Sequence, residues 1–147
     1  MRRHNSTIPH DPVNGQWGDC HRACFAMILG LDPTEVPHFY DGGRDQCDAV
    51  ADMRRFLAAR GLAAVDIAFR CDFGTLMAMM TENMPGVPAI LGGISAKDCG
   101  HSVVALDGAI WHDPSGSGIV APFEDGHYWI TIFSPLAVIP EDDPSDG

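Results

Sequence analysis

A chain of 147 residues with a 46% hydrophobic share has the size and apolar content of one globular domain built on one core. Twenty acidic against nine basic residues leave a formal charge of −11, which argues against nucleic-acid binding, where clustered Lys and Arg are needed to neutralise phosphates, and suits a neutral or cationic partner better. The longest apolar runs, such as Cys24 to Leu29 before Gly30, fall well short of the roughly 20 residues of a membrane span.

Met1-Arg2-Arg3 is followed by Asn5, Ser6, His10, Asp11 and Asn14, where a secretory signal needs an apolar stretch. The expectation is a soluble cytoplasmic protein with no membrane partner. Five cysteines, an odd number in a chain of ordinary apolar share, fit a reducing compartment better than a disulfide scaffold. Cys24, Cys47 and Cys71 are read as small buried hydrophobes.

Residues 1–15 are polar, contain two prolines before residue 13, and read as an extended arm. Asp19 is placed as the N-cap of a helix over Cys20 to Leu29, with Gly30 as its stop; Cys20, Ala23, Cys24, Met27 and Ile28 share one face. Asp32-Pro33 starts a turn or short helix. A second amphipathic helix is predicted from about Asp48 to Arg60, with Val50, Met53, Phe56 and Leu57 on its apolar side and Gly61 ending it. Val65 to Phe69 reads as a strand and Phe73 to Asn83 as a third helix, whose methionines suit a core.

From Pro88 the pattern turns to strands: Ala89 to Leu91, Ser102 to Leu106, a turn at Asp107-Gly108, Ala109 to Asp113, and Tyr128 to Phe133. Helices followed by an antiparallel sheet make an α+β domain, spanning residues 16–140 and followed by an acidic tail at 141–147.

Aligned peptide dipoles and free N–H groups at a helix N-terminus lower a thiol's pKa, and Cys20 has that placement. It is therefore the candidate nucleophile, expected to stay substantially thiolate at about pH 6 beside a protonated histidine. The helix's N–H groups can face a developing oxyanion, and Gln16 can add a side-chain amide. His101, at the start of a strand after the Asp98-Cys99-Gly100 loop, is the candidate base. Asp113, closing the partner strand before Pro114, is the candidate for orienting that imidazole. A strict two-residue turn at Asp107-Gly108 would put His101 and Asp113 on opposite faces of the hairpin, so a bulged loop is predicted at Gly108.

Gln16-Trp17-Gly18-Asp19-Cys20 opening a helix, Gly100-His101-Ser102-Val103-Val104 opening a strand, and Trp111-His112-Asp113-Pro114 ending the next resemble the Gln, Cys, His and Asp motifs of papain-like cysteine peptidases, in the same order. The likeness spans about Gln16 to Pro114 and is closest in texture to compact bacterial and phage members such as bacteriocin leader peptidases. It implies a Cys-bearing N-terminal helix packed on an antiparallel sheet carrying His and Asp. It also implies a thiolate–imidazolium pair and cleavage or transfer at an amide or thioester carbonyl of a peptide or protein through an acyl-enzyme, without a cofactor. Peptidase comes first; deamidase and acyl transferase use the same groups. In better-known relatives the glutamine lies further ahead of the cysteine than Gln16 does of Cys20.

Two other readings use the same residues. Cys20, Cys24, Cys99 and His101 offer soft ligands for a structural zinc, though that leaves Gln16 and Asp113 without a role. A papain-like module that grips a peptide without cleaving it is the other. His112 is the rival base to His101, while His21 and His127 are read as supporting or surface residues.

Overall fold

The computed structural model describes residues 1–137, so the acidic tail expected at 141–147 lies outside the described residues. Three helices, α1 (Cys20–Leu29), α2 (Gln46–Ala58) and α3 (Phe73–Asn83), accompany five strands, β1 (Leu62–Phe69), β2 (Ala89–Ile94), β3 (Gly100–Leu106), β4 (Ala109–His112) and β5 (Tyr128–Pro135). The strands form one sheet in the order β1-β5-β2-β3-β4, every neighbouring pair antiparallel. The architecture is α+β, and among the described residues no helix is long and apolar enough to cross a membrane.

Side chains alternate across a pleated strand, and the sheet uses that alternation to carry two cores. Ile90 and Val104 point to one face, where they meet Cys24, Phe25 and Met27 of α1 and Leu57 of α2. Their neighbours Leu91 and Val103 point to the other, against Leu76 and Met80 of α3 with Tyr128 and Ile130 of β5. The methionine-bearing α3 is thus a core element. Cys24 is fully buried, whereas Cys47 is exposed and Cys71 half-buried, so the core reading holds for the first and fails for Cys47, which sits in the first turn of α2.

Helix ends follow local chemistry except at one place. Gly30 takes a left-handed φ of 69° and its N–H bonds to the Ala26 carbonyl, closing α1 as a C-terminal glycine should. Asp72 caps α3 by accepting from Thr75 N. Asp45 caps α2 by accepting from Cys47 N, which moves that helix two residues ahead of its expected start. Asp19, expected to cap α1, makes no side-chain cap bond.

The β3–β4 hairpin decides the geometry of the site. Leu106 pairs with Ala109 across a two-residue turn whose residues Asp107 and Gly108 both have positive φ, 52° and 75°, as a type I′ turn requires. A Cβ on Gly108 would lie 1.9 Å from Thr81 Oγ1, so this residue is fixed by close approach as well as by φ. The loop is therefore not bulged. The irregularity lies further along, where Ala105 pairs with Ile110 but Val104 with His112, leaving Trp111 as the extra residue. That insertion reverses the alternation of β4 and brings His101 and Asp113 to the same side.

Candidate active site

His101 is the second residue of β3 and only 6% exposed, and its Nε2 lies 2.6 Å from Asp113 Oδ1. Ser115 Oγ stands 3.2 Å from the same nitrogen. Asp113 follows the last residue of β4, and the chain after it folds back so that Oδ1 accepts from the N–H groups of Ser115 and Gly116, at 3.1 and 3.0 Å, while Oδ2 accepts from Gly118 at 2.7 Å. Burial pushes this carboxyl up, but the bond from His101, the Gly118 N–H and the imidazole's charge outweigh it and hold Asp113 below the usual carboxylate range. A charged acceptor at Nε2 selects the tautomer with its proton there. Nδ1 has no hydrogen-bond partner among the described residues.

Cys20 opens α1, half-buried. Burial pushes its thiol up; the backbone N–H groups of Ser102 and His21 act in the opposite direction without overcoming it, and nearby Asp19 and Cys99 add to the rise. The resting group is a thiol, contrary to the thiolate that the helix N-terminus alone suggests. Desolvation outweighs the backbone N–H groups here.

Cys20, His101 and Asp113 line one open cleft of about 520 Å³. Residues 5–10 and 114–117 form much of its wall, with Lys97 and Cys99 at the β2–β3 turn. The arm is thus part of the site, and Asp19 explains how it is held. Its buried carboxylate accepts from Thr7 N and Ile8 N at 3.0 Å each and from Thr7 Oγ1 at 2.9 Å, and its own N–H bonds to the Ile8 carbonyl. Ser6 N bonds to the Pro114 carbonyl at 2.9 Å, and the Arg3 guanidinium stacks over Trp111 at 4.9 Å.

Gln16 does not line the cleft; its backbone pairs with Asp11 in an isolated bridge. His112, the rival base, is engaged by Asn5 Oδ1 at 2.9 Å and is likewise outside the cleft wall. His127 pairs with Asp125. His21 lies beneath the site, its Nδ1 3.1 Å from Ser102 Oγ and its Nε2 buried without a partner; burial lowers its pKa to about 4, with nearby Asp66 acting weakly the other way.

Among the described residues no three His, Cys, Asp or Glu side chains converge as a metal-ligand group, so the Cys20, Cys24, Cys99 and His101 set is not gathered into a zinc site. Sequence reasoning missed the arm's place in the wall and the turn behind Asp113. The second had a local signal in Asp113-Pro114-Ser115-Gly116-Ser117-Gly118, since an aspartate ahead of such residues binds its own downstream backbone. No protein-family model, curated protein or solved structure matches this chain.

Proposed function

We propose that the chain is a papain-like cysteine hydrolase, with Cys20 as nucleophile, His101 as general base and Asp113 as the group that orients and charges the imidazole. The observation that carries this reading is the 2.6 Å His101–Asp113 contact in the cleft onto which Cys20 opens. The Asp113 contact occupies Nε2 and leaves Nδ1 to take a proton.

Because the thiol is protonated at rest, proton transfer accompanies attack. Sγ bonds to the carbonyl carbon of an amide or thioester as its proton passes to His101 Nδ1, and the imidazolium is stabilised by the Asp113 carboxylate. Collapse of the tetrahedral intermediate expels the amine or thiol, which takes the proton from His101. Water, deprotonated by the same nitrogen, then releases the acyl group. Peptide and protein amides are the first-choice substrates, and peptidase the first-choice activity.

The test is acylation by p-nitrophenyl acetate followed by intact mass and peptide mapping. Wild-type protein should carry the acetyl group on Cys20 and turn it over, whereas Cys20→Ala should keep its fold and lose both the burst and the adduct. Turnover undiminished in Cys20→Ala removes the assignment.

A further inference from the structure

An attacking thiol pushes an electron pair onto the carbonyl oxygen, and that oxyanion needs donors already in place. Cys20 N–H is one of the N–H groups left free at the first turn of α1. With Gln16 outside the cleft wall, the second donor is unassigned.

Residues 8–19 form a hairpin that answers this. Asp11 and Gln16 exchange two backbone hydrogen bonds, at 2.8 and 3.0 Å, and Asp19 N bonds to the Ile8 carbonyl at 3.4 Å. The arm is thereby folded back along the segment that leads into Cys20, with Gln16 at the closed end and His10 further along toward the cysteine. Gly18 eases the approach, because a Cβ there would lie 3.0 Å from His10 Cβ and 3.2 Å from His10 N, tight enough that His10 would have to shift by a few tenths of an ångström. Gly18 N–H donates to His10 Nδ1 at 3.2 Å. A ring nitrogen that accepts a hydrogen bond carries no proton, so the neutral ring has its N–H at Nε2. His10, Gly18 and Cys20 line the same cleft.

We infer that His10 is a catalytic residue whose Nε2–H, together with the Cys20 backbone N–H, forms the oxyanion hole in the role that the sequence assigns to Gln16. This rests on the hydrolase reading above. With p-nitrophenyl acetate the C–S bond forms and the carbonyl pair moves to oxygen, held by these two donors. The thiol proton passes to His101, and the pair returns to expel p-nitrophenolate.

The experiment compares two reactions of the same thiol. Acetylation of Cys20 by p-nitrophenyl acetate passes through an oxyanion; alkylation by iodoacetamide, a displacement at saturated carbon, does not. His10→Ala should slow acetylation about 100-fold while alkylation of Cys20 stays within about twofold. His10→Gln, which keeps an N–H donor, should recover much of the loss, Gly18→Ala should reproduce it by displacing His10, and Gln16→Ala should leave acetylation unchanged. Acetylation at the wild-type rate in His10→Ala, or a parallel loss of alkylation that marks a structural role, overturns the inference and leaves the hydrolase reading standing. Absence of acetylation at Cys20 in the wild-type protein overturns both.

Discussion

Cys20 and Asp113 line one cleft and are held in opposite ways. Asp113 accepts from an imidazole and three backbone N–H groups, which outweigh its burial. Cys20 has two backbone N–H groups directed to it, from Ser102 and His21, and burial outweighs them. Charge is therefore fixed in advance on the orienting side and withheld on the attacking side. On the proposed reading, the base is prepared and the nucleophile becomes charged only as it reacts. A serine hydrolase divides the work the same way, so a thiol in this setting depends on its histidine more than a preformed thiolate would.

That dependence sets the largest expected effect. His101→Ala should lower Cys20 acetylation by about 10²- to 10⁴-fold, the range for removing a general base, while His112→Ala, whose ring is turned to Asn5, should stay near the wild-type rate. Stopped-flow measurement of p-nitrophenolate release decides it. Should His112→Ala be the more damaging change, the prepared side of the cleft has been misidentified.

Asp113→Asn comes next. The amide presents one acceptor oxygen where two carboxylate oxygens serve His101, Ser115, Gly116 and Gly118. The turn loses bonds as well as the imidazolium its counter-charge. Acetylation should fall about 10- to 100-fold, less than in His101→Ala, and stability by about 1–3 kcal/mol, read from urea unfolding at neutral pH. A variant as stable as the wild type would mean that the turn is held by other contacts.

His21 sharpens the contrast on the Cys20 side. Its folded pKa, lowered from 6.5 to about 4, means that the fold favours the neutral ring. The stability this contributes is complete above about pH 6.5 and is lost as pH falls toward 4, because the unfolded chain takes up the proton first. The loss over that window is on the order of 3 kcal/mol. His21→Phe should flatten this part of the urea-unfolding profile between pH 7 and 4.5; an unchanged slope assigns the acid sensitivity elsewhere.

The smallest effect is a displaced midpoint. Alkylation of Cys20 by iodoacetamide should rise toward alkaline pH with an apparent pKa above the ordinary thiol value, and at pH 6 it should show no lead over exposed Cys47. Fast, selective modification of Cys20 at pH 6 would show instead that the thiolate preexists and that both sides of the cleft are charged in advance.

The parts of this molecule legible in the sequence are those decided within a few residues. Helices α1 and α3 have the expected bounds, Cys20–Leu29 and Phe73–Asn83, and Gly30 marks the end of the first. Asp107-Gly108 marks a turn in the sequence as well, but the irregularity expected at Gly108 lies at Trp111 instead, because the ladder that defines it belongs to two strands at once. Asp19 carries the same lesson. Its position fits a helix cap, yet its carboxylate is taken by Thr7 and Ile8, partners eleven and twelve residues away that no local pattern announces. The thiolate expectation for Cys20 failed for a related reason, since helix position can be read from sequence and burial cannot. The strand-end places of His101 and Asp113 are legible in the sequence, and the structure pairs the two, while the arm, polar and proline-bearing, resembles a loose end because its anchors Asp19, Trp111 and Pro114 lie elsewhere in the chain.

The strand order β1-β5-β2-β3-β4 has a consequence for the birth of the protein. The residues of the cleft have all been translated by the time Gly118 is added, yet among the described residues β1 pairs only with β5, which lies between β1 and β2. From Gly118 to the end of β5 at Pro135 a ribosome working at about 5–20 residues per second needs on the order of one to a few seconds. During that interval the chain has every residue that lines the cleft but lacks the strand that ties β1 to the rest of the sheet. Assembly of the five-stranded sheet therefore trails synthesis of the cleft residues, and the last of these strands to be made is one that lies inside the sheet rather than at its edge.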